Sequence, residues 1–441
     1  MIKRLVKSEF IRDSSWSFLA VAFKSLGGVI VSKLFSVYFG AAGLAILSHF
    51  QNLIGFFTSF ANEGINKSIV KYWSDKKLKL NEKKRLFKTA LWLTGVMMFV
   101  VLLPLTWWFR QYFFGVFVSN GSDAQFIWLF VLGVTSLTFA WCINSLILVE
   151  CGVKDYAIIN ILSLLVLVGA VFLGIHSRSL NIALTSFILG NGGMFIFSLF
   201  YLILKRRNLI RSFVGWPDRV ALSRISSFLT MAISVLLTGQ ILDFIVRDFI
   251  INSYGLTTTG EWQAVVKMSA NFLLLFTNVV GVVYYPKVST LIYDHGALKK
   301  YVLKVMILVS SLSLLSLTIY YLERGVFLEL FFDKELGDAA YLVRYQAIGD
   351  FFALNSFLLA TVLVAKVQIK KFVIGRFLAA LVFLVTLALA IKVLNVEALT
   401  LGYMLRQIGL FILMVYFNKE LLFGRSKSDH KFSDSESSST H

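Results

Sequence analysis

The sequence predicts an all-α integral membrane protein of about twelve transmembrane helices, with no soluble domain of any size. Two observations carry this. Hydrophobic residues make up 58% of the 441 and charged residues only 15%, where a soluble domain carries roughly 25% charged. About twelve apolar segments, each near the roughly 20 residues needed to cross a bilayer, follow one another with short connectors.

The segments fall at approximately 16–38, 44–73, 87–109, 124–149, 156–176, 180–204, 222–253, 259–287, 301–322, 339–365, 372–392 and 397–418. Several exceed the bilayer thickness, so tilt or emergence into water is expected. Phe is abundant at 42 residues, as lipid-facing helices allow and a soluble surface does not. The basic N-terminus lacks a following cleavage-type segment, so the first span reads as retained.

Lys and Arg set the orientation. One set of connectors holds Lys3, Arg4, Lys7, Arg12, Lys76, Lys77, Lys79, Lys83, Lys84, Arg85, Lys154, Lys205, Arg206, Arg207, Arg211, Arg219, Lys370 and Lys371. The other set holds little beyond Arg110, Arg178, Arg324 and Lys334. Both termini are therefore expected in the cytoplasm, and the polar tail 421–441 is expected to be disordered. The net charge of +19 follows from this bias first, and no nucleic-acid partner is indicated.

An internal repeat is weakly visible. The turn at Phe39-Gly40 after span one matches the turn at Tyr254-Gly255 after span seven, 215 residues on. The turns at Lys154 and Lys370 are 216 residues apart. Two lobes are expected, 1–204 and 222–420, joined by a basic cytoplasmic linker at 205–221. An even number of spans per lobe gives both the same orientation.

Charges inside spans need an account, because burying one in a bilayer costs several kcal/mol on most scales. The cations are Lys24, Lys33, Lys67, Arg247, Lys267 and Arg406; the acids are Glu63, Asp243, Asp248 and Asp350. Glu63 with Lys67, and Asp243 with Arg247, are i,i+4 pairs that can neutralise each other. Lys24, Asp350 and Arg406 are deepest and lack such a partner. Lys71 and Arg376 lie near span ends and can snorkel to the headgroups. Cations outnumber acids, so a cavity lined by them suits an anionic ligand. Candidate ligand-binding residues are Lys24, Lys33, Lys67, Arg247, Lys267 and Arg406. Candidate coupling or ion-pairing acids are Asp350, Glu63 and Asp243.

The sequence holds no phosphate-binding loop for ATP, no nucleophile motif, and no metal-binding pattern in Cys142, Cys151 or the scattered His49, His176, His295, His430 and His441. It reads as a secondary transporter rather than an enzyme, with no bound cofactor and H⁺ or Na⁺ as the coupling ion.

Several stretches resemble one family. They are Lys24-Ser25-Leu26-Gly27-Gly28 through Phe39-Gly40-Ala41-Ala42-Gly43-Leu44, Gly260-Glu261-Trp262-Gln263, Pro286, Gln346-Ala347-Ile348-Gly349-Asp350 and Ala365-Lys366. Together, and in this order, they resemble the Wzx-type flippases, the O-antigen and enterobacterial common antigen translocases. The resemblance implies the fold of the multidrug/oligosaccharidyl-lipid/polysaccharide exporters, with two pseudo-symmetric six-helix lobes around a central cavity. It implies an undecaprenyl-diphosphate-linked oligosaccharide as substrate, moved by alternating access across the bacterial inner membrane. A polysaccharide polymerase and a chain-length regulator are the implied protein partners. By position, Lys24, Lys33, Arg247 and Asp350 match charged positions of the family; Glu63, Asp243, Lys267 and Arg406 rest on depth alone. Two alternatives remain open: a small-molecule exporter of the multidrug type, and a membrane glycan polymerase or ligase, which the short outward connectors disfavour.

Overall fold

The computed structural model describes residues 2–59, 64–75, 78–117, 124–207, 216–366 and 368–423. Glu63, much of the 205–221 linker and nearly all of the 421–441 tail lie outside them. Among the described residues the chain is helical throughout, with no strand. A helix satisfies every backbone donor and acceptor within one segment, which the bilayer demands.

Nine described helices are long and apolar enough to cross a membrane. Ser15–Ser59, the first of them, is bent at Gly40 and so supplies two spans. Two more polar spans meet at Gly255, inside the merged helix Leu242–Val279. The total is about twelve, in the expected order.

The two bends follow from glycine. Gly40 sits at φ 65, ψ −165 and Gly255 at φ 80, ψ 175. That region of backbone space is essentially closed to residues with a Cβ. The two turns matched in the sequence therefore share one backbone geometry. Among the described residues, π-helical segments occur at 64–66, Met97–Leu102, Leu236–Ile241 and Val280–Tyr284; these are wider turns that often mark working points of a helix.

The chain forms two compact units, Met1–Gly260 with Phe331–Asp333, and Glu261–Leu330 with Lys334–His441. The core of the first is rich in rings: Phe50, Phe114, Phe117, Phe126 and Phe130 are buried and meet at centroid distances of 5.1–6.5 Å. Part of the phenylalanine excess thus packs helix against helix instead of facing lipid. A second apolar cluster in this unit gathers Ile65, Ile69, Trp73, Phe87, Leu146 and Ile225. The core of the second unit is built from Tyr284, Val302, Leu358, Leu359, Leu363 and Met414.

Candidate functional site

The first unit holds a pocket of about 410 Å³ lined by residues of five spans. Span one contributes Lys24. Span two contributes Asn66, Lys67, Val70 and Lys71. Span four contributes Trp141, Asn144, Ser145 and Leu148, and span five Tyr156 and Asn160, with Met194 closing the wall. The local cause is helical periodicity. Residues at i, i+3, i+4 and i+7 share one face, and 141, 144, 145 and 148, then 67 and 71, then 156 and 160, are such sets. The walls are tied where spans two and four end, since Trp73 Nε1 donates to Glu150 Oε1 at 2.5 Å.

Among the described residues the lining contains three ammonium groups, three carboxamides and two aromatic rings. Lys24, Lys67 and Lys71 all keep exposed surface. The ammonium of Lys71 also sits 5.2 Å from the Phe228 ring centroid and 5.4 Å from that of Tyr72. Asn144 is buried and accepts from Ser198 Oγ at 2.9 Å. Asn160 Nδ2 donates to the Tyr156 carbonyl at 2.7 Å. Three lysines lining one pocket suit an anionic ligand. The carboxamides add both donors and acceptors.

Of the residues singled out in the sequence, the pocket brings together Lys24 and Lys67. It adds Lys71, which depth alone had assigned to the headgroups, and the uncharged Asn66, Asn144, Asn160, Trp141 and Tyr156. Only their shared helical faces could have flagged these in advance.

The remaining candidates lie elsewhere. Lys33 is exposed on span one, and Asp243 is exposed one turn before Arg247. Arg247 does not line the pocket; its Nη1 donates to the Ser48 carbonyl at 2.6 Å. Lys267 and Arg406 are half-buried. Asp350 is fully buried inside the second unit. Its Oδ1 accepts from Ser269 Oγ at 2.6 Å and from the Tyr403 hydroxyl at 2.9 Å. Gln346 Nε2 donates to the same Ser269 Oγ at 2.9 Å. Asp350 Oδ2, Gln346 Oε1 and the Tyr320 hydroxyl are buried without a hydrogen-bond partner among the described residues. Among the described residues no cluster of His, Cys, Asp and Glu is placed to hold a metal ion.

No family model matches the chain. It is 22% identical over 376 residues to the Lipid III flippase of Escherichia coli (strain K12), covering 83% of this chain and 87% of that protein, and equally to the Lipid III flippase of Shigella flexneri. An inward-facing multidrug resistance transporter of the MATE family, within the MOP superfamily, superposes with TM-score 0.70 at 13% identity, over 91% of this chain and 94% of its own. The Lipid II flippase MurJ in an inward closed conformation superposes with TM-score 0.71 at 12% identity, over 91% and 86%. The fold is that of these membrane transporters. The relatives are flippases and transporters, not enzymes.

Proposed function

We propose that this chain is a flippase of the Wzx type, which moves an undecaprenyl-diphosphate-linked oligosaccharide from the cytoplasmic to the periplasmic leaflet. The observation that carries this reading is the pocket, whose described lining includes three lysines, three carboxamides and an indole. Ammonium groups bind phosphate oxygens through charge-assisted hydrogen bonds. Carboxamides suit sugar hydroxyls, which both donate and accept, and the Trp141 and Tyr156 rings suit the apolar faces of sugar rings.

At 410 Å³ the pocket matches the smaller ligand sites, which span about 300–1,000 Å³. It takes the diphosphate with the sugar next to it, while the polyprenyl chain stays in lipid. Similarity to a Lipid III flippase across 83% of the chain supports a lipid-linked cargo. A multidrug exporter for organic cations is the second reading that the fold allows, but a pocket lined by three lysines suits such cargo less well.

Asp350 is proposed as the coupling group. One of its oxygens accepts two hydroxyl hydrogen bonds, and the other is buried with no hydrogen-bond partner among the described residues. That second oxygen can take a proton or a small monovalent cation and give it up when the surrounding helices move. Alternating access would then be driven by the ion gradient.

The test is reconstitution. Proteoliposomes containing the purified chain should move a fluorescent polyprenyl-diphosphate glycan between leaflets, faster under a proton or sodium gradient. Binding of cationic dyes with no movement of the glycan would replace this reading with the exporter.

A further inference from the structure

Spans two and seven meet away from the pocket, at the end of span two opposite Lys67 and Lys71, and the contact has an unusual composition. Its polar part is the hydrogen bond from Arg247 Nη1 to the main-chain carbonyl of Ser48, 2.6 Å long. Its apolar part is a cluster of rings around Phe244. His49 stacks on Phe244 at 4.7 Å, Phe113 meets it edge-on at 5.8 Å, and Tyr112 lies at 5.9 Å. Phe117 covers the other side of the region, 5.5 Å from His49. His49 is 0% and Phe244 6% exposed.

The contact is tightly packed and poorly satisfied at the same time. Both ring nitrogens of His49 and Nε of Arg247 are buried without a hydrogen-bond partner among the described residues. Burying such atoms unpaired is costly, whereas water would satisfy all three on opening. Asp243, one turn earlier on the same helix, offsets part of the Arg247 charge, but the hydrogen bond to a neutral carbonyl adds no counter-charge. Ring packing therefore favours the closed contact and polar desolvation opposes it. Opposed terms of this kind lower the cost of opening the contact.

The segment that carries Phe244 and Arg247 is also bounded by two weak points. The π-helical turn Leu236–Ile241, with Gly239 inside it, precedes Leu242. The Gly255 bend, φ 80, follows. Residues 242–254 form a short helical rod between these two breaks.

We propose that His49, Phe244 and Arg247 form a releasable latch: span seven is held against span two in this conformation and swings about 236–241 when the latch opens. The latch gates one side of the first unit, and its release is the step that lets cargo leave there. The gating role rests on the transport reading; the latch itself does not.

The two key side chains make opposite predictions. Arg247→Ala removes the hydrogen bond and should loosen the latch. His49→Phe keeps a ring against Phe244 but removes two unpaired nitrogens, and should tighten it. The reporter is a cysteine at Val246, 4% exposed, with Cys142→Ala and Cys151→Ser to remove the native thiols. The protein is labelled in nanodiscs by a bulky polar maleimide.

Arg247→Ala should speed labelling roughly tenfold, the size expected for one hydrogen bond to a charged group. His49→Phe should slow labelling several-fold and raise the thermal midpoint. In proteoliposomes His49→Phe should also slow flipping. Both substitutions moving labelling in the same direction, or His49→Phe leaving it unchanged, would overturn the latch. If Arg247→Ala fails to accumulate in the membrane, His49→Phe decides alone. Labelling needs no substrate, so a failed latch and a failed flippase assignment give different results: shifted labelling without glycan movement removes only the latter.

Discussion

Lys67→Ala is the sharpest perturbation of the pocket. Lys67 and Lys71 share one face of span two, and Lys24 faces the same pocket from span one. A hydrogen bond to a charged group contributes about 1.5–3 kcal/mol. These ammonium groups open into a wet pocket, which places each at the low end, about 1.5 kcal/mol after screening. Relief of repulsion between the lysines that remain offsets a little of the loss. The dissociation constant should therefore rise roughly tenfold, at 1.4 kcal/mol per decade. Lys67→Arg should retain most of the affinity. The assay is equilibrium binding of a short-chain prenyl-diphosphate glycan to the purified protein in nanodiscs, repeated at rising salt. Arg376→Ala is the control, since that side chain is exposed and its guanidinium sits 5.0 Å from the Phe372 ring centroid, in the second unit. If Lys67→Ala and Arg376→Ala change affinity equally, the pocket is not where the phosphates bind.

Asp350→Asn keeps the size of the side chain and fixes its charge at zero; it should bind the glycan normally and turn over poorly, with a weakened response to the ion gradient. Transport at the wild-type rate with unchanged gradient dependence would remove Asp350 from coupling. Gly255→Ala forces a Cβ into a glycine-only conformation (φ 80, ψ 175) and should cost about 1–3 kcal/mol, read as a lower thermal midpoint with the helix content retained. Trp73→Phe removes the 2.5 Å bond to Glu150, worth about 1.5–3 kcal/mol for a charged acceptor, and should lower both stability and glycan affinity, because it unties two walls of the pocket. For orientation, single cysteines replacing Lys79 and Arg207 should resist an impermeant thiol reagent in intact cells, and one replacing Arg178 should react; the reverse pattern would invert the topology.

The sequence by itself determined the class of the molecule, the order of its spans and its two sharp bends. These are local properties. A bilayer offers the backbone no partners, so each crossing must be one apolar helix, and hydropathy reports it residue by residue. The turns at Gly40 and Gly255 were legible for the same reason: a backbone conformation reserved for glycine leaves glycine in the sequence.

The tertiary structure decided which charges meet. Depth along a helix gave Lys24 and Lys67 as candidates but could not bring them together, and it sent Lys71 to the headgroups although its side chain lines the same pocket. Depth also grouped Arg247 with the ligand-binding cations, whereas it donates to the Ser48 carbonyl beside the rings of His49 and Phe244. The two hydroxyls on Asp350 come from two other spans, through Ser269 and Tyr403, and the Gln346 amide on its own helix donates to Ser269. Convergence of this kind depends on how each helix is rotated about its axis. That rotation is set by packing against neighbours distant in the chain, such as the ring cluster of Phe50, Phe114 and Phe130. An apolar helix with no strongly polar face carries almost no local record of its own rotation.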